Sequence, residues 1–224
     1  MTAALLASLI VLTNAFGSVQ VETLGARVVS YAPQGGEEVF AMLPSGYGGV
    51  PLCWPWFRYL GPKSDSPKHG IARYREFAVV RRTDGPAASE VELRLDSNAA
   101  TRKDFPHDFT LTVTVRLDRA LSLTMTAKNT GVTPFKVTEA FHPYLRREAV
   151  VRLKDEGSGT YRTWDPDAQS HLKTQGLGPE DWRRFICIEN GTFTPETAYW
   201  LKPGERHTLM RRFGGKSAPA SRAP

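Results

Sequence analysis

Apolar and polar residues alternate with a period of two over most of the chain. In DFTLTVTVRL (108–117), Phe109, Leu111, Val113, Val115 and Leu117 alternate with Thr110, Thr112, Thr114 and Arg116. After a short turn at Asp118 to Ala120, LSLTMTAK continues with Leu121, Leu123, Met125 and Ala127. This pattern predicts a hairpin with one apolar and one polar face. It also predicts strands in SVQVE, ARVVSY, EEVFAM, EFAVVRR, EVELRLD, FKVTEAFHPYL, EAVVRLK, FICIE, AYWLK and HTLMRRF. Turn chemistry (APQGG, RTDGP, KNTGVTP, KDEGSG, KPGE) separates many of them. Helical periodicity is almost absent, with one short helix expected within 168–183, limited by Gly176 and Gly178. Short antiparallel strands with one apolar face bury it by packing sheet on sheet. The expectation is all-β: one large antiparallel β-sandwich domain over 1–213 and a flexible tail over 214–224.

Two stretches stand out from this regularity. FKVTEAFHPYL (135–145) places Phe135, Val137, Phe141 and Leu145 on one face and Lys136, Thr138, Ala140, His142 and Tyr144 on the other. An imidazole on the wetter face of a strand is either a satisfied polar group or a working one. The segment 48–75, GGVPLCWPWFRYLGPKSDSPKHGIARYR, is too rich in glycine and proline to be mostly strand. Long irregular segments with aromatic and polar content tend to be functional. The alternative is that Trp54, Trp56 and Phe57 simply cap one end of the sandwich.

Charge narrows the partners. Lys and Arg number 29 against 23 Asp and Glu, a formal charge of +6. The excess favours an anionic ligand, but the basic residues are scattered rather than striped, which argues against nucleic acid. Cys53 and Cys187 sit in apolar runs and read as buried free thiols. No Cys/His group has zinc-ligand spacing, and no glycine-rich phosphate loop opens a helix; no metal is expected. LLASLIVLT has the length of a signal-peptide core but lacks a preceding Lys or Arg and runs on into further strand patterns. A cytoplasmic protein with no membrane partner, a monomer or weak oligomer, is expected.

Six motifs occur in one order: GGVPLCWPWF, KHGIAR, FPHDF, EAFHPYL with TWDPDA beyond it, FICIENG and LKPGERHTL. Together, from about Leu9 to about Phe213, they resemble the aldose 1-epimerase superfamily, and most of all its glucose-6-phosphate 1-epimerase, or hexose-6-phosphate mutarotase, branch. The resemblance implies a β-sandwich whose concave face binds a sugar or sugar phosphate, and an isomerase that interconverts α and β anomers of an aldose without a cofactor. Carried over residue by residue, it implies a catalytic histidine at His142 in HPY and a catalytic glutamate at Glu189 in ICIE. His69 and Arg73 of HGIAR would line the sugar site.

The chemistry wants those groups. A cyclic hemiacetal opens when a base takes the anomeric hydroxyl proton while an acid protonates the ring oxygen. Rotation about C1–C2 and reclosure invert the anomer with the roles exchanged. Glu189 is the expected base, its pKa raised by partial burial, and His142 the expected acid, protonated near neutral pH. His69 would hydrogen-bond the sugar; Arg73 would hold substrate oxygens or a phosphate. Each has a bland reading as well: a satisfied strand histidine, an exposed strand end, a loop charge. His107 reads as structural, and His171 and His207 as surface residues without a role.

The chain departs from the family pattern in three places. Where the sugar-phosphate branch often has an arginine before GG, Tyr47 stands; Arg58, where glycine is usual, and Lys68 are the candidate replacements. Only seventeen residues separate HPYL from TWDP, which implies a lost hairpin, a more open cleft and no matching sugar-gripping aspartate, Asp155 reading as part of a turn. A partner subunit would be one way to complete the cleft. The alternative to an enzyme is a sugar-binding or regulatory homologue without turnover.

Overall fold

The alternating segments pair as antiparallel strands in a computed structural model that describes residues 8–150, 153–157, 159–174 and 176–215. In chain order the strands are β1 Leu9–Asn14, β2 Gly17–Glu22, β3 Arg27–Pro33, β4 Leu52–Cys53, β5 Ala78–Thr83, β6 Ser89–Asp96, β7 Phe109–Leu117 and β8 Ala120–Asn129. They continue with β9 Phe135–Val137, β10 Ala140–Phe141, β11 Tyr144–Arg146, β12 Leu153–Gly157, β13 Thr160–Trp164, β14 Phe185–Gly191, β15 Tyr199–Leu201 and β16 Arg206–Gly215. Three short helices interrupt them: α1 Ala99–Asp104, α2 Arg147–Val150 and α3 Ser170–Lys173.

One layer is a six-stranded sheet in the order β12-β16-β8-β7-β6-β5. The predicted hairpin lies at its centre, in the register Val113↔Met125. The facing layer combines β1-β2-β3 with the short strands β4, β10, β11, β13 and β14, stitched by isolated bridges at Val28–Val50 and Phe40–Leu145. Between the layers lies one core. Leu93, Leu111, Val113, Leu123 and Met125 from the first sheet meet Val19, Val21, Val28, Leu52 and Phe141 from the second, all buried. This is a β-sandwich, as the period of two requires.

Several local expectations change. EEVFAM does not form a strand: Phe40 and Met42 make only single bridges, and Glu38 instead ties the turn, its carboxylate accepting from the N–H groups of Tyr31 and Phe40. EAVVRLK begins as the helix α2, and only its last residues enter β12. Asp155 lies in β12, in the six-stranded sheet, rather than in a turn. Helix α1 was not expected; Asn98 caps it, accepting from the N–H groups of Ala100 and Thr101 while Thr101 caps in return. The strand expected over 135–145 is broken into β9, β10 and β11: the amides of Thr138 and Glu139 go to the Pro55 carbonyl and to Thr192 Oγ1, and Pro143 has no N–H. Residues 216–224, most of the expected tail, lie outside the described residues. No helix among the described residues is long and apolar enough to cross a membrane.

Candidate functional site

The broken strand and β14 build the centre of the site. Phe141 pairs with Asn190 and Tyr144 with Cys187; continuing that register sets His142 directly opposite Glu189. Both side chains leave the same face of the sheet, away from the core that receives Phe141 and Leu145. His142 Nε2 lies 3.3 Å from Glu189 Oε1. The two lie side by side because cross-strand neighbours on one face are adjacent. On the far side of β14, Arg162 of β13 pairs with Glu189 in turn. On the near side, β4 places Cys53 opposite Ala140. The face reads, across the sheet, Arg162, Glu189, His142, Cys53.

The loop between β4 and β5 closes over this face. Trp54, Trp56 and Phe57 are buried, and Trp54 packs on Phe105 and Phe109, so these rings do anchor the end of the sandwich. The residues beside them turn to the site. Arg58 and His69 have φ of +51° and +69°, a left-handed conformation that glycine adopts without strain and other residues rarely hold. That geometry accounts for the glycine expected in place of Arg58. His69 is held by its neighbours: the Arg58 N–H donates to its Nδ1 at 3.3 Å, and its ring sits edge-on to His142 and Phe57. Arg73 donates from Nε to the Leu52 carbonyl and from Nη2 to Cys53 Sγ.

His69, Arg73, His142, Arg162 and Glu189 line a cavity of about 630 Å³ together with Tyr47, Arg58 and Lys68. All seven residues singled out from the sequence, Tyr47, Arg58, Lys68, His69, Arg73, His142 and Glu189, reach it. The segment after β13 also lines the cavity, through Asp167, Gln169, Ser170, Lys173 and Thr174. That segment abuts Tyr47 so closely that a Cβ on Gly176 would stand 2.4 Å from its ring. Arg162, Asp167 and Lys173 were not anticipated. The alternation in TYRTW was the available signal for Arg162; for Asp167 and Lys173 only TWDPDA hinted at it. Asp167 accepts from Ser170 Oγ and the Gln169 N–H, which shapes the turn into α3.

The electrostatics follow from burial and from cations. Glu189 is 2% exposed, and burial raises its pKa to about 7 against the pull of Arg162, Arg58 and Arg73. Burial and Arg73 push His142 down to about 3. The expectation of an imidazolium near neutral pH does not fit the free site: burial favours the neutral imidazole, and a proton held by the pair is favoured on Glu189. Burial and Arg73 also hold His69 well below the usual imidazole range. Burial and the neighbouring Arg58 and Arg73 lower Lys68.

Elsewhere the chain neutralises its arginines, as in Arg27–Glu22, Arg75–Asp104, Arg102–Asp108 and Arg147–Asp165. Around the cavity it does not. Among the described residues Arg58, Lys68, Arg73, Arg162 and Lys173 make no ion pair, and only Asp167 and Glu189 contribute carboxylates to the lining. The lining therefore carries an excess of positive charge.

The other histidines stay out of the cavity. His107 packs its ring on Phe105 and Phe135, and His171 contacts the carbonyl of Ala168. His207 is more than a surface residue: its Nδ1 lies 2.8 Å from Oε1 of the fully buried Glu139, which projects from the opposite face of the broken strand.

Comparison with known proteins is consistent with this geometry. The family model described as Aldose 1-epimerase matches residues 8–163. A Salmonella typhimurium protein named "Putative glucose-6-phosphate 1-epimerase" is 32% identical over 165 residues, covering 68% of this chain and 53% of its own length. An Escherichia coli protein of the same name is 29% identical over the same shares. The chain thus spans about half the length of the curated relatives it matches. A Salmonella typhimurium crystal structure described as a "putative mutarotase" superposes with a TM-score of 0.76 at 20% identity, covering 92% of this chain and 89% of that one. A galactose mutarotase related enzyme from Lactobacillus acidophilus gives 0.71 at 15% identity, covering 95% and 99%. At those identities the structures speak for the fold.

Proposed function

The chain belongs to the aldose 1-epimerase family, and from that premise we propose that it interconverts the α and β anomers of an aldose, a hexose 6-phosphate above all, by acid–base ring opening on Glu189 and His142. The observation that carries the reading is the 3.3 Å contact of these two groups on the wall of a cavity ringed by unpaired cations.

The anomeric hydroxyl and the ring oxygen are both bonded to C1. A base and an acid that serve them must therefore sit close together, and the cross-strand pair does. In opening, the Glu189 carboxylate accepts the anomeric proton while the His142 imidazolium protonates the ring oxygen. After rotation about C1–C2, the imidazole takes the hydroxyl proton back and Glu189-H protonates the aldehyde oxygen, so closure leaves the pair as it began. The working form holds one proton, as the resting form does. It differs by moving that proton from Glu189 to His142, directly or through the sugar hydroxyl. Each partner of such a pair contributes about 10²–10⁴-fold.

The cations explain the preference for a phosphate. Arg73, Lys68 and Arg162 disfavour a charged His142. A phosphate bound among them cancels part of that field, and the substrate itself then favours the imidazolium. His69, neutral, donates from Nε2 to a sugar oxygen, because its Nδ1 is committed to the Arg58 amide.

Exchange NMR between α and β anomers of glucose and glucose 6-phosphate, with the spontaneous rate subtracted, tests the proposal. Acceleration of the phosphorylated sugar above the free one is expected. Sugar binding by calorimetry with no acceleration of either would leave a binding protein instead.

A further inference from the structure

Cys53 is fully buried in β4, and nothing in the acid–base steps uses it. Its sulfur nevertheless stands between two residues that line the cavity. Arg73 Nη2 lies 3.1 Å from Sγ, and Sγ lies 3.2 Å from His69 Nδ1. The Arg58 amide sets the directions, with Nδ1 shared as acceptor between two donors. The Arg58 amide can only donate, so Nδ1 is an acceptor and the ring proton is on Nε2. A thiol facing an unprotonated Nδ1 can only donate to it. The guanidinium can only donate, so it donates to the sulfur lone pair.

We propose that Cys53 is a positioning residue whose thiol links Arg73 to His69, reinforcing the Nε2–H tautomer that the Arg58 amide selects and strengthening that N–H as a donor to the sugar oxygen on which charge develops. The inference rests on the proposed function, since it needs His69 to face the reacting sugar. The physical basis is cooperative polarisation along a hydrogen-bond chain. A cationic donor on sulfur makes S–H a better donor; that draws electron density from the imidazole, and the far N–H becomes more acidic. His69 thereby gains part of the character of an imidazolium while staying neutral, in a site where burial forbids the charge. The thiol stays protonated for the task, because burial pushes Cys53 up to about 12. Sequence alone reads this residue as an inert buried thiol; the fold gives it two polar neighbours.

The test compares Cys53→Ala, which removes donor and acceptor, with Cys53→Ser, which keeps both on a shorter bond. Anomer exchange of glucose 6-phosphate and ¹⁵N spectra of His69 are measured on each. Cys53→Ala should lower kcat about tenfold, the loss expected for one charge-assisted hydrogen bond, with KM changed less than about twofold. Its His69 Nδ1 resonance should move toward that of an imine nitrogen with the Arg58 amide as its one donor, and Cys53→Ser should recover part of both effects. A kcat within twofold of wild type in Cys53→Ala, or an unmoved Nδ1 resonance, overturns the proposal. Cys53→Val, which fills the space without a donor, replaces the alanine variant should that one not fold. A wild-type protein that accelerates no anomer exchange would defeat the functional reading instead, and the ¹⁵N comparison would still report on the link.

Discussion

His142 and Glu189, forty-seven positions apart in sequence, meet at 3.3 Å because antiparallel register sets them opposite one another on β14 and the break between β10 and β11. Their contact is a property of strand pairing, and most of what can be tested follows from it.

Replacing Glu189 by Gln keeps the shape and removes the exchangeable carboxylate. Exchange NMR on glucose 6-phosphate should show kcat reduced by about 10²–10⁴-fold, with sugar binding by calorimetry retained. An unchanged rate would refute the assignment of Glu189.

The rate should depend on the single shared proton. With Glu189 at about 7 and His142 at about 3, kcat/KM should be flat between these values. It should decline above about pH 7 as the pair loses its proton, the two limbs belonging to the pair rather than to either residue. A profile that instead rises through pH 7 would mean that a fully deprotonated pair is the working form.

The same burial has a stability cost with a definite sign. Glu189 has an ordinary value of 4.5 and a folded value of about 7. The folded state therefore favours the protonated acid, a contribution fully present below about 4.5 and lost as pH rises through 7. Ionising it in place costs about 3 kcal/mol. Glu189→Gln should therefore raise Tm at pH 8 and leave it nearly unchanged at pH 4; equal shifts at both would contradict the buried-charge account.

Arg58 supplies a separate test of anion recognition. At φ +51° it occupies backbone space that suits glycine, so Arg58→Gly should stabilise the fold by roughly 1 kcal/mol. It should also raise KM for glucose 6-phosphate by about tenfold, with little effect on unphosphorylated glucose. Equal losses for both sugars would argue against a phosphate contact.

The architecture was legible in the chain because its signal is local: the central strands β6, β7 and β8 of the six-stranded sheet carry their own alternation, from Val91–Leu95 to Leu121–Ala127. The facing layer was less so. Phe40 and Met42 look like strand residues but are held by isolated bridges, and a carboxylate at Glu38 captures the amides that a ladder would have used. Of the site, His142 and Glu189 could be named from their motifs, while their separation could not, since it depends on register between distant segments. Arg162, Asp167 and Lys173 carry no motif of their own; only the path of the chain after β13 brings them to the cavity. The sequence gives no sign that His142 is held below the usual imidazole range, because the burial and the Arg73 charge that lower it come from residues far along the polymer. Glu139 was passed over as one polar residue in an alternating run, though it points inward to His207.

The break at Pro143 has a consequence for how the molecule can go wrong. Phe141 and His142 are neighbours in sequence, yet one belongs to the oily interior and the other to the reaction chamber. Sliding that ribbon by a single residue would send an imidazole inward and a benzyl ring outward, reversing every assignment along it. A misaligned conformer could keep much of its sheet content and still be catalytically dead. Turnover is thus a stricter gauge of correct strand alignment in this protein than circular dichroism would be.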